Sequence, residues 1–323
     1  MDRSFLNNRE VSGEFLTLAG ERYYAIRDVD RMAPFFVSLV SNSDHWLFIS
    51  SSGGLTAGRV SPKTALFPYV TVDKIHESSP HTGSKTLIRT WVNDARHVWE
   101  PFNRAHDHRY STSRNLYKNL LGNKLCFEEI NHDLQLAFRY CWLTSDRYGF
   151  VRRCELANTG TQSRDVELID GLLNVLPAGT PPFAQTNTSN LVDAYKWTEL
   201  LEDTGLGLFA LYAGITDRAE PSESLRATSV FCLGLEGHEV LLSARQLERF
   251  GLGESLTPEV HTRGIRGAYL VHASLRLQAQ ASEHWELVAD LELSQAEIVS
   301  LRQELGDPQA LAAAIDESVD EGS

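Results

Sequence analysis

Along most of this chain, hydrophobic residues come in short runs separated by turn formers. Phe35-Phe36-Val37-Ser38-Leu39-Val40 and His45-Trp46-Leu47-Phe48-Ile49 flank Ser41-Asn42-Ser43-Asp44, which reads as a tight connection between two strands. Residues 132–142 alternate with period two: Leu134, Leu136, Phe138, Tyr140 and Trp142 share one face, while Gln135 and Arg139 lie on the other. A half-buried strand has this pattern, because successive side chains point to opposite faces. The run 150–157 passes through Asn158-Thr159-Gly160 into the apolar stretch 164–175, and the turn residues suggest a long antiparallel hairpin. Runs 206–213, 227–235 and 268–293 are also strand-like.

Helical patterning is sparse until the end. Residues 243–250 allow two turns, stopped by Gly251. Ser294-Gln295-Ala296-Glu297 is a capping box ahead of Ile298, Leu301 and Leu305. Asp307-Pro308 opens a second helix with proline at its first position, running to near Glu317. The chain thus divides into a β body, 1–293, and an acidic helical linker or tail, 294–323. Many strands without regular helical crossovers predict a mainly β fold, a large antiparallel two-sheet supersandwich with short C-terminal linker helices.

Charge sharpens this division. The net charge is −13, but residues 283–323 contribute −10 and the remainder only −3. A nearly balanced body has no basic face for phosphate backbones, which argues against nucleic acid as a partner. No apolar run reaches the roughly 20 residues that span a bilayer, so no membrane partner is expected. The first ten residues have no continuous apolar core, and the expected location is cytoplasmic. Cys126, Cys141, Cys154 and Cys232 have no CxxC spacing. The first three lie in apolar runs and are expected to be reduced, buried thiols.

The most unusual stretch is 91–110, which mixes Trp91, Trp99, Phe102 and Tyr110 with Arg, His, Asp and Asn. Sugars stack their C–H faces on aromatic rings while planar polar groups hold their hydroxyls. Trp99, Arg104, His106, Asp107 and His108 are therefore the carbohydrate-binding candidates. His106-Asp107-His108 would put two imidazoles on one side of a strand, but two ligands are too few for a metal. Neither a metal nor a cofactor is expected. Ser50–Arg59 lacks the GKS/T ending of a phosphate loop and reads as a glycine-rich β turn. The polar, proline-rich stretch 177–190 reads as a loop, either a binding surface or a plain excursion. No nucleophile elbow and no HExxH motif is present, and no catalytic residue is assigned.

In order, Pro34–Val40, Ser50-Ser51-Ser52-Gly53-Gly54, Val98-Trp99-Glu100-Pro101 and the strand 150–160 resemble the N-terminal domain of the cellobiose and chitobiose phosphorylase family. The helices from Ser294 stand where that family has linker helices. Leu55-Thr56-Ala57-Gly58 departs from the aromatic residues common there. The resemblance implies a galactose mutarotase-like supersandwich packed against an (α/α)6 catalytic barrel, with dimerisation possible. It implies no catalytic residue in this chain. The expected function is that of a non-catalytic carbohydrate-associated domain, with an oligosaccharide or such a barrel as partner. Two alternatives stand beside it. One is an aldose epimerase using a Glu and a His, with His106, His108, Glu128 and Glu129 as candidates. The other is an assembly module acting through a sheet face and the acidic tail.

Overall fold

The computed structural model describes residues 10–187, 189–213 and 225–322. Residues 1–9, on which most of the reading of the N-terminus rests, lie outside these. Strands dominate, and all pairings are antiparallel. An 11-stranded sheet runs, edge to edge, through Ser12–Leu18, Glu21–Arg27, Thr112–Asn119, Leu125–Asn131, Leu136–Ser145, Gly149–Asn158, Ser282–Ser294, Arg226–Leu233, Leu206–Leu211, Lys196–Leu201 and His261–Arg263. A five-stranded sheet contains Glu239–Leu241, Gly267–Leu277, Arg164–Val175, Gly83–Val92 and Ala95–Trp99. A four-stranded sheet contains Phe36–Leu39, His45–Ser50, Leu55–Arg59 and Ala65–Phe67. The predicted second layer is thus divided in two, bridged where the Leu176 amide donates to the Leu66 carbonyl at 2.9 Å.

Alternation builds the core. Phe127, Phe138, Tyr140 and Trp142 point inward from the large sheet; Ile88, Leu168 and Val271 face them from the five-stranded sheet, and Leu47 and Ile49 from the four-stranded one. Burying each such side chain contributes about 1.5–3 kcal/mol. The helix Arg245–Leu252 seats Phe250 on the outer face of the five-stranded sheet, against Leu87, Ile169 and Leu270. It runs through Gly251 and ends at Gly253, whose positive φ closes it. The C-terminal helices Gln295–Glu304 and Pro308–Glu321 lie on the outer face of the large sheet, where Leu301, Leu305, Leu311 and Ile315 pack on Leu143, Val151 and Val288. The capping box forms as expected. Among the described residues no helix is long and apolar enough to cross a membrane.

Three expectations are corrected. The strands 149–158 and 164–175 are not a hairpin, because the first pairs with 136–145 and 282–294 and the second with 83–92 and 267–277. At Asn158 the chain leaves one sheet for the other; its Nδ2 donates to the carbonyls of Gln162 and Gln278, and its Oδ1 accepts from Gly160 N. A side chain so engaged turns a corner rather than closing a two-strand turn. The run 268–293 is likewise two strands in different sheets. Cys126 and Cys141 are not free thiols but a disulfide. They sit directly opposite each other on neighbouring strands with Cα atoms 4.0 Å apart. Cys154 and Cys232 are free and buried.

Candidate functional site

The segment 100–111 leaves the edge strand Ala95–Trp99 of the five-stranded sheet and enters the strand Thr112–Asn119 of the large one. One buried carboxylate holds it. Glu129 accepts from Trp99 Nε1 at 2.7 Å, from the Phe102 amide at 2.6 Å and from Arg114 Nε at 2.6 Å. Arg114 also reaches Asp107 at 2.6 Å. Phe102 takes a positive φ of 66°, a strained conformation for a bulky residue that this clamp maintains. Burial raises the Glu129 carboxyl pKa above its ordinary value despite these donors.

This clamped segment forms one wall of a cavity of about 360 Å3. Its floor is the cross-strand pair Phe127 and Tyr140, stacked at 5.0 Å, with Phe102 edge-on to Tyr140 at 5.3 Å. One side carries the ion pair of Lys85 with Glu100, and Asn103 Nδ2 donates to Glu100 at 2.8 Å. The lining also includes the serine turn Ser51-Ser52-Gly53 and His76, whose Nδ1 lies 2.6 Å from Ser50 Oγ. Gly53 makes the turn at φ 90°, as expected of a β turn. Asp30 and Arg104 also line the cavity.

Beneath the floor, Arg152 and Asp170 form a fully buried pair at 2.7 Å. The Arg152 guanidinium lies 4.6 Å from the Tyr140 ring centroid. Asp170 also accepts from Thr86 Oγ1 at 2.6 Å and Trp285 Nε1 at 2.7 Å. Burial pushes the Tyr140 phenol far above its ordinary value, so it stays a neutral hydroxyl.

The five sequence candidates do not meet. Trp99 is fully buried with its indole N–H bound to Glu129, so it is a core residue and presents no face for a sugar to stack on. Its position opposite Ile88 on an inward-facing register explains this. Arg104 lines the cavity and makes a long contact, 3.4 Å, to the Asp30 carbonyl. His106 is half-buried behind the wall; its Nδ1 accepts from the Glu100 amide at 3.3 Å, and burial lowers its pKa. Asp107 is engaged by Arg114, and His108 opens into a separate cleft. Nor does Glu128 face the cavity group; it points to the opposite side of the sheet, held by Tyr117, Asn115 and Arg139. Among the described residues no His, Cys, Asp and Glu side chains gather into a metal-holding group.

Lys85 and His76 escaped the sequence reading, and Tyr140 was read only as an inward-facing strand residue, because the three come from separate segments whose meeting only the topology decides. Glu100 and Phe102 lay in the stretch already singled out, without a pattern to separate them from their neighbours.

No protein-family profile matches the chain, and no curated protein does. Several solved structures resemble it at low identity. A polysaccharide lyase has 9% identity and a TM-score of 0.44 over 84% of this chain, which spans 34% of the lyase. A protein assigned as an aldose 1-epimerase from Klebsiella pneumoniae has 10% identity and a TM-score of 0.39, with 96% of this chain and 91% of that one covered. A protein assigned as a kojibiose phosphorylase from the human microbiome has 10% identity and a TM-score of 0.30, with 72% and 25% covered.

Proposed function

We propose that this chain is a carbohydrate-binding domain that holds a saccharide in the cavity between the sheets, in service of a larger carbohydrate-active assembly. One observation carries the reading: a cavity of about 360 Å3 combines an aromatic floor and edge, Phe102, Phe127 and Tyr140, with charged and amide groups of both hydrogen-bonding senses. The volume falls in the ~300–1,000 Å3 range of small-molecule sites. Sugars present alternating hydroxyls and C–H faces, and this lining can answer both. Lys85, Arg104 and Asn103 donate, Glu100 and Asp30 accept, and Phe102 offers an apolar edge.

The test is a thermal-shift screen with glucose, cellobiose, chitobiose and laminari-oligosaccharides. A ligand that binds only the folded state raises the unfolding midpoint. A reproducible rise with one sugar class, reduced in both Arg104→Ala and Phe102→Ala, supports the reading. No rise at millimolar sugar would remove it and leave a structural module. A second reading, sugar mutarotation, has one observation in its favour: His76 and Glu100 both line this cavity. A coupled mutarotation assay that detects turnover abolished in His76→Asn would establish it.

A further inference from the structure

A second cleft, of about 480 Å3, lies beyond the clamped segment and has a different character from the cavity between the sheets. Val92 and Leu134 give it an apolar base; His97, His108, Arg109 and Asp133 give it its polar groups. Tyr110 stands between His97 and His106, with ring centroids 6.3 Å from each. Its hydroxyl is committed, donating to the Val98 carbonyl at 2.9 Å.

Arg114 pairs with two carboxylates, Glu129 and Asp107. Arg109 does not: among the described residues no carboxylate lies within ion-pair distance of it, nor of His97 or His108. Asp133 lines the cleft, but its Oδ2 is taken by the Ser111 amide at 2.8 Å. Among the described residues, then, Arg109 brings to this cleft a guanidinium with no carboxylate in ion-pair contact, flanked by two imidazoles. A guanidinium is a planar fork matched to two oxygens of an anion, and each imidazole can supply an N–H.

We propose that this cleft binds an oxyanion, the sulfate, phosphate or carboxylate group of a small ligand, with Arg109 as the principal contact and His97 and His108 as flanking donors. Asp133 opposes the ligand's charge and limits affinity. The apolar base would take the carbon skeleton that carries the anion. The proposal stands apart from the saccharide reading of the central cavity, since no cleft residue named here lines that cavity.

The experiment is calorimetric titration at about 20 mM salt, where surface electrostatics are weakly screened. The probes are inorganic sulfate, inorganic phosphate and glucuronate, with glucose as the uncharged control. The expected result is one-site binding of at least one oxyanion and none of glucose in this cleft. Losing a charged hydrogen bond in Arg109→Gln weakens it roughly ten-fold. His108→Gln weakens it less, Asp133→Asn tightens it, and Lys85→Met in the central cavity leaves it unchanged. Binding of sulfate and phosphate without glucuronate identifies a tetrahedral anion; glucuronate alone identifies a sugar acid. The three cleft positions, Arg109, His108 and Asp133, are exposed, so these variants should keep the wild-type circular dichroism spectrum. The proposal is overturned if none of the three anions binds at about 10 mM, a very weak affinity. It is equally overturned if binding survives Arg109→Gln undiminished, or if Asp133→Asn weakens it.

Discussion

Glu128 and Glu129 are neighbours in the same strand, yet their carboxyl groups respond to the fold in opposite directions. Glu129 faces inward, 1% exposed, and is held by Arg114, Trp99 and the Phe102 amide. Burial dominates there and lifts its pKa. Glu128 faces outward among Tyr117, Asn115 and Arg139. Burial again opposes ionisation, but the phenol, the amide and the guanidinium together outweigh it, and the pKa falls. Arg139 and its second partner Glu155 remain about a third exposed, so water shares the load on that face. Two faces of one strand are two different media. The inner one organises a segment of irregular backbone, and the outer one builds a partly hydrated charge ladder.

The contrast can be broken most forcefully from the inside. Glu129→Ala leaves the buried Arg114 guanidinium without its main partner and should cost about 3–5 kcal/mol in denaturant unfolding. Glu128→Ala should cost less, about 1–3 kcal/mol, because Arg139 keeps Glu155 and Tyr117 keeps Arg27. Equal losses would mean the two faces are not distinct. Between these falls the staple on the outer face. Replacing Cys126 and Cys141 together by alanine opens a closure of sequence separation 15 and should lower stability by about 3 kcal/mol, read as a lower thermal midpoint.

The pH dependence sharpens the comparison through its sign. Glu128, with its pKa lowered from 4.5, adds stability at higher pH that is lost as pH falls through the lowered value. Glu129, raised from the same 4.5, adds stability below that pH which is lost as pH rises through the raised value. Stability measured against pH should therefore fall less steeply on acidification in Glu128→Gln. It should fall less steeply on raising the pH above 4.5 in Glu129→Gln. The smallest effect belongs to the exposed rim: Arg104→Ala should change stability by less than about 0.5 kcal/mol, while weakening saccharide binding several-fold.

The mainly β character, the capping box and the inward set Phe138, Tyr140 and Trp142 were legible because period-two alternation survives in the sequence. Even Leu134, which lies in a turn rather than in the strand, is buried where the alternation puts it. The sheet crossing at Asn158 was not legible, since a turn and a corner share the same residue types. Trp99 shows the limit for the site. An indole in a polar stretch looks like a sugar platform until a carboxylate 30 residues further on is seen to take its N–H. The cysteine pair was equally hidden, because strand register, and not spacing, sets Cys126 against Cys141.

The corner at Asn158 has a partner. The neighbouring crossing from 267–277 to 282–294 runs beside it, and Gln280 Nε2 donates to the carbonyls of Thr159 and Gly160 while Asn158 Nδ2 reaches Gln278. Two seams are thus laced to each other as well as through both layers. Peeling the five-stranded sheet from the large one would tear both at once, so the layers open as a single cooperative unit and the walls of the cavity between them share one fate.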